Sequence, residues 1–95
     1  MYTHVPKNLR VGQYVVLPCI DGTNKTGYVS NISEHFISIV KRHIDYDSPL
    51  AVKPFVYTHI SLHKTLLNAN VVVQDNGQIH QWVLDMAKGT ENAKS

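Results

Sequence analysis

The stretch from residue 27 to residue 43 constrains what this chain can fold into more than any other. It reads Gly27-Tyr28-Val29-Ser30-Asn31-Ile32-Ser33, a polar break at Glu34-His35, then Phe36-Ile37-Ser38-Ile39-Val40-Lys41-Arg42-His43. Two runs rich in β-branched and aromatic residues, separated by two or three polar ones, predict adjacent antiparallel strands of a tight meander. The expectation is a small, strongly bent, barrel-like β domain.

The rest of the chain extends that pattern. After an irregular lead-in over residues 1–10, Val11-Gly12-Gln13-Tyr14-Val15-Val16-Leu17 predicts a first strand with apolar groups on both faces, which ends at Pro18 or lies at an edge, because proline lacks a ladder donor. Residues 21–27 are almost free of apolar side chains and read as a long exposed turn, with the second strand starting at Gly27, where the absent Cβ admits a close neighbour. In the third strand, alternation puts Ile37, Ile39, Lys41 and His43 on one face and Phe36, Ser38, Val40 and Arg42 on the other. Both faces are then partly covered, or a bulge switches the core face. Residues 50–53 suggest a short extended piece between Pro49 and Pro54.

The next strand covers residues 55–62, with Val56, Thr58, Ile60 and Leu62 opposite Phe55, Tyr57, His59 and Ser61. Residues 63–70 stay open, because Leu62, Leu66 and Leu67 have helical spacing in a run too short to decide, and Val71-Val72-Val73 is a short strand. Asp75-Asn76-Gly77-Gln78 supports two readings: Asn-Gly is a hairpin signal, while Asp75 with Gln78 makes a capping box before Ile79, Trp82, Val83 and Met86 at helical spacing. The second reading predicts a helix over about 78–88, closed by Lys88 and Gly89 and followed by a disordered tail over 90–95.

At 95 residues the chain makes one domain, and no apolar run approaches the roughly 20 residues a membrane span requires. The opening residues lack the basic and apolar regions of a secretory signal, so a cytoplasmic protein is expected. Cys19 is the single cysteine, which excludes an internal disulfide and reads as a small buried hydrophobe. Nine Lys and Arg against seven Asp and Glu give a formal charge of only +2, too weak a field to imply nucleic acid by itself.

Chemistry has few footholds. His59 and His63 share a face, but on a strand they stand roughly 13 Å apart, no second thiolate completes a ligand set, and no metal or cofactor is expected. No nucleophile elbow or phosphate-cradling loop is present, and Asp45 and Asp47 around Tyr46 read as turn formers, so no catalytic residue is assigned and an enzyme is not expected. What remains is a strand surface that mixes aromatic, histidine and basic groups: Lys41, Arg42, His43, Tyr57, His59 and Lys64. Such surfaces stack bases and pair phosphates.

The order of elements resembles a five-stranded SH3-like small barrel, and Val11-Gly12-Gln13-Tyr14-Val15 resembles its opening strand. The Gly27-Tyr28-Val29 start, Phe36-Ile37-Ser38-Ile39 and Val56-Tyr57-Thr58-His59 are similar to Sm-like RNA chaperones of the Hfq type. Over residues 11–62 that resemblance implies an RNA-binding module with Tyr57 and His59 at the site. The family's lysine between them is Thr58 here, and residues 46–53 and 63–95 have no counterpart.

The expected function is therefore non-enzymatic binding of RNA or single-stranded DNA. The alternative is a protein-interaction or assembly module, such as a phage or other mobile element would encode, with Trp82 and Met86 at its interface. Edge strands of small barrels are economically covered by another subunit, so a homo-oligomer without membrane contact is expected.

Overall fold

The structure is a computed structural model and describes residues 3–44 and 55–86. Five antiparallel strands form one sheet in the order β4-β3-β2-β1-β5. β1 is Tyr14–Pro18, β2 Asn24–Ile32, β3 Phe36–Ile44, β4 Phe55–His63 and β5 Val72–Val73. The mainly β architecture is the expected one. Among the described residues β4 and β5 stand at the two edges without pairing to each other, so the sheet is open rather than closed into a barrel.

The first turn is tighter than its polar composition implies. Asp21 accepts from the Thr23 amide at 2.9 Å and from its hydroxyl at 2.6 Å, and the Cys19 amide donates to Thr23 at 2.9 Å. This Asx turn reverses the chain at once. Asn24, Lys25 and Thr26 consequently belong to β2, where they pair with Pro18, Leu17 and Val16. The second strand thus begins three residues before Gly27. At Gly27 itself a Cβ would lie 3.1 Å from Ile39 Cβ and from the Val40 carbonyl, the close approach that glycine permits. The second turn is closed by Ser33, whose amide donates to the Phe36 carbonyl and whose hydroxyl accepts from the Phe36 amide.

Alternation decides the core. Val15, Leu17, Val29, Ile37, Ile39 and Leu62 point to one side and pack with Leu9, Cys19, Leu67 and Val71. Cys19 is buried there as the small hydrophobe its neighbours implied. Val40 points to the other side yet is fully buried, so both faces of β3 are covered. A register shift between Val29 and Asn31 adds the bulge to β2 rather than to β3.

Residues 63–70 are neither long helix nor strand. A 3-10 turn at Lys64–Leu66 carries the chain from β4 to the far end of β1, where Leu67 bridges Cys19. β5 then pairs with β1 through Val15↔Val73 and Val16↔Val72.

Neither local reading of Asp75-Asn76-Gly77-Gln78 describes what the chain does. The Gln74 amide donates to Tyr14, and five residues later Ile79 bridges Gln13 while the His80 amide donates to Gly12. The chain thus leaves the β1 ladder and rejoins it in the same direction, looping out residues 75–78. Asp75, Asn76 and Gly77 take φ of 54°, 56° and 76°, a left-handed run that Asp, Asn and Gly tolerate best. Gln78, Ile79 and His80 are therefore not helical, and the helix, called α1 below, covers residues 81–86 of the described chain. The expected piece at residues 50–53, the Asp45–Asp47 pair and the expected tail lie outside the described residues. No helix among them is long and apolar enough to cross a membrane.

Candidate functional site

Pairing between β2 and β3 stops at Tyr28↔Val40. Beyond that point β2 continues with β1 alone, from Gly27↔Val15 to Asn24↔Pro18, and β3 continues with β4 alone, from Lys41↔Thr58 to Ile44↔Phe55. The sheet thus divides into two ribbons that part like a V. A recess of about 270 Å³ opens in the fork, lined by Tyr14, Thr26, Tyr28, Lys41, Arg42 and His43. Because it lies between ribbons rather than on one face, side chains from both sides of β3 line it.

The outer face beside the recess is aromatic. Tyr14, Tyr28, Val40 and His59 are successive cross-strand partners and so form one row over four strands. Arg42 opposite Tyr57 forms the next row outward. The Tyr14 and Tyr28 ring centres are 4.8 Å apart, and Tyr28 meets the edges of His80 at 4.8 Å and Trp82 at 5.0 Å. Tyr57 lies 6.1 Å from Trp82. The Arg42 guanidinium sits over two rings, 4.3 Å from the centre of Trp82 and 4.5 Å from that of Phe55. Helix α1 thus lies against this face, with Val83 completely buried. Trp82 packs on its own sheet instead of standing clear as a separate stripe, and Met86, four residues on, is half-buried.

His80 supports this layer from behind. Its Nε2 is 3.3 Å from Asp75 Oδ2, ion-pair distance for a protonated imidazole but off the axis of a hydrogen bond. Gln13 holds the looped-out turn in place. Its Oε1 accepts from the Arg10 amide at 2.9 Å and its Nε2 donates to the Gly77 carbonyl at 3.1 Å.

Of the residues singled out from sequence, Lys41, Arg42 and His43 meet at the recess, with Tyr57 and His59 on the adjoining outer face. Lys64 stands apart, about 23 Å from Tyr57 along β4 at strand rise. Its Nζ donates to the Glu34 carbonyl at 3.1 Å, at the rim of a different hollow of about 560 Å³ against the lead-in segment. The sequence reading missed Tyr14, Thr26 and Tyr28. Paired residue numbers in an antiparallel hairpin share one sum, so a turn centred on Asp21 would have set Tyr14 opposite Tyr28. Among the described residues no group of three His, Cys, Asp or Glu side chains is placed to hold a metal ion.

None of the six side chains lining the recess is acidic, and three are Lys, Arg and His. Two tyrosines and one threonine supply flat apolar surface and hydroxyls. Chemically the arrangement can pair an anion and lay a planar ring against an aromatic wall. No family model, curated protein or solved structure matches this chain.

Proposed function

We propose that the chain is a non-enzymatic module of SH3-like or Sm-like build that binds RNA or single-stranded DNA in the fork between its two ribbons. The meander of four strands, the single 3-10 turn from β4 and the return of β5 to β1 support the SH3-like likeness. One observation carries the function: three consecutive basic residues and two tyrosines line a single recess without an acidic group. Lys41 and Arg42 pair phosphates, Tyr57 and His59 extend the stacking surface, and Thr26 offers a hydroxyl. The setting is the cytoplasm.

The test is titration of labelled oligouridine and oligothymidine at several salt concentrations. Phosphate contacts from Lys41 and Arg42 predict a log-log salt slope of about −1.4 for single strands. Lys41→Ala should make the slope shallower by about 0.7, and Tyr57→Ala should cost about 1–3 kcal/mol of affinity at every salt. Tyr57 is 40% exposed, so its loss leaves the fold intact. Absence of salt-sensitive binding overturns the proposal.

The β4 edge favours a second reading, as an assembly module. Phe55-Val56-Tyr57-Thr58-His59-Ile60-Ser61-Leu62-His63 carries no Lys, Arg, Asp, Glu or Pro, the residues that usually blunt an edge, and its first three residues expose large apolar side chains. Pairing of this edge with a second copy makes a homo-oligomer. Light scattering that reports a monomer across a wide concentration range would remove it.

A further inference from the structure

We propose that helix α1 is a built-in competitor for the nucleic-acid surface, with Trp82 closing part of the site until a single strand displaces it. The inference rests on the nucleic-acid reading and adds its regulation. Trp82 lies against the groups that a base and a phosphate would use: its ring is 4.3 Å from the Arg42 guanidinium, 5.0 Å from Tyr28 and 6.1 Å from Tyr57. The indole covers the Arg42 guanidinium face-on, the contact a nucleobase would make there, with Tyr28 edge-on and Tyr57 tilted beside it. A base therefore competes with Trp82 for the flat surface of Arg42 and Tyr57, while the recess beside them remains open to a phosphate.

The tether suits that role. A single short helix is marginal in water by itself, so α1 persists by docking. Val83 is its one completely buried side chain among those described, and Val40 beneath this face is completely buried while standing outside the main core cluster. The sheet's larger core lies on the opposite side, with Leu17, Ile37 and Ile39, and does not depend on α1. Lifting the helix exposes an apolar strip without opening that core. The connection to β5 is the looped-out turn of Asp75, Asn76 and Gly77, anchored to Gln13, so the helix stays attached when it lifts.

A site closed ten to one loses about tenfold in apparent affinity. The full chain with Trp82→Ala should bind labelled oligouridine about tenfold more tightly than wild type, and Val83→Ala, which loosens the anchor while keeping the ring, should shift affinity the same way. Trp82 is the single tryptophan, so its emission reports the helix directly. Oligouridine added to the unaltered protein should shift that emission to the red as the indole enters water. If Trp82→Ala loses its fold, Val83→Ala and the wild-type emission decide. Wild-type binding that weakens or stays unchanged in these variants, with no red shift, makes Trp82 part of the platform or a bystander. That result overturns the competitor and leaves the nucleic-acid reading standing. No binding by wild type or variants at any salt overturns both.

Discussion

The guanidinium carbon of Arg42 lies 4.3 Å from the centre of the Trp82 ring, which joins β3 to a helix 40 residues later in the chain. Cation–π contacts of this kind contribute about 0.5–2 kcal/mol. Arg42→Ala should lower unfolding free energy in urea by about 1 kcal/mol and move Trp82 emission to the red. Arg42→Lys keeps the charge but not the planar stack, and should recover less than half of the loss. Equal stability of all three proteins would show that the contact does not hold the helix.

Gln13 should matter more for stability than its small surface implies. It is the buried polar residue of the described chain, with both ends of its amide engaged. Gln13→Ala leaves the Arg10 amide and the Gly77 carbonyl without this partner and costs about 1–3 kcal/mol in denaturant unfolding. Gln13→Glu keeps the acceptor but turns a donor into a second acceptor facing Gly77, and should be no better.

Two glycines separate backbone strain from collision. Gly22 has φ of 87° with nothing within 4 Å of a built Cβ, whereas Gly12 has φ of 98° and a Cβ there would sit 2.7 Å from Ile79 Cγ2. Gly22→Ala should cost about 1 kcal/mol, the price of a left-handed alanine alone. Gly12→Ala adds overpacking and should cost about 2–4 kcal/mol. Thermal unfolding of the two variants side by side measures the difference.

Asp21 links the first turn to pH. Its carboxyl is held below the ordinary carboxylate value of 3.8, first by the Thr23 hydroxyl and then by the Thr23 amide. A lowered native value means that the charged form favours the fold. The contribution is present above the ordinary value and is lost as pH falls through the lowered one. Thr23→Val removes the hydroxyl donor and should raise the Asp21 midpoint toward 3.8, as read from side-chain carboxyl shifts by NMR. An unchanged midpoint would assign the effect to the backbone amide alone.

Residues 36–42 and 55–62 were legible because a period of two leaves no freedom: once Ile37 and Ile39 face the core, Arg42 must face the other way, beside Tyr57. The paired faces of β3 and β4 follow directly. The start of β2 was not legible, because Asn24, Lys25 and Thr26 are polar and their strand character comes from pairing with Leu17 and Val16. The Asp75-Asn76-Gly77 turn failed for the same physical reason. Hairpin and capping-box readings both weigh local chemistry, while the outcome is set by β1, which holds Gln74 on one side of the turn and Ile79 on the other.

For the candidate site, the sequence supplied the basic triplet and Tyr57 but not the fork. Where β2 and β3 stop pairing is a property of register, and it alone brings Tyr14 and Thr26 to Lys41. Composition groups Lys64 with them, and the length of β4 carries it away.

The pairing of Val15 with Val73 also has a consequence in time. β1 leaves the ribosome before β5, and this one of its two neighbours is made 58 residues later. Until then one side of β1 has no strand to pair with, and the core residues Leu67 and Val71 are still missing. A nascent chain stalled before residue 67 should therefore be protease-sensitive from β1 to β4, and the native sheet should form only once residues 67–73 have been synthesised.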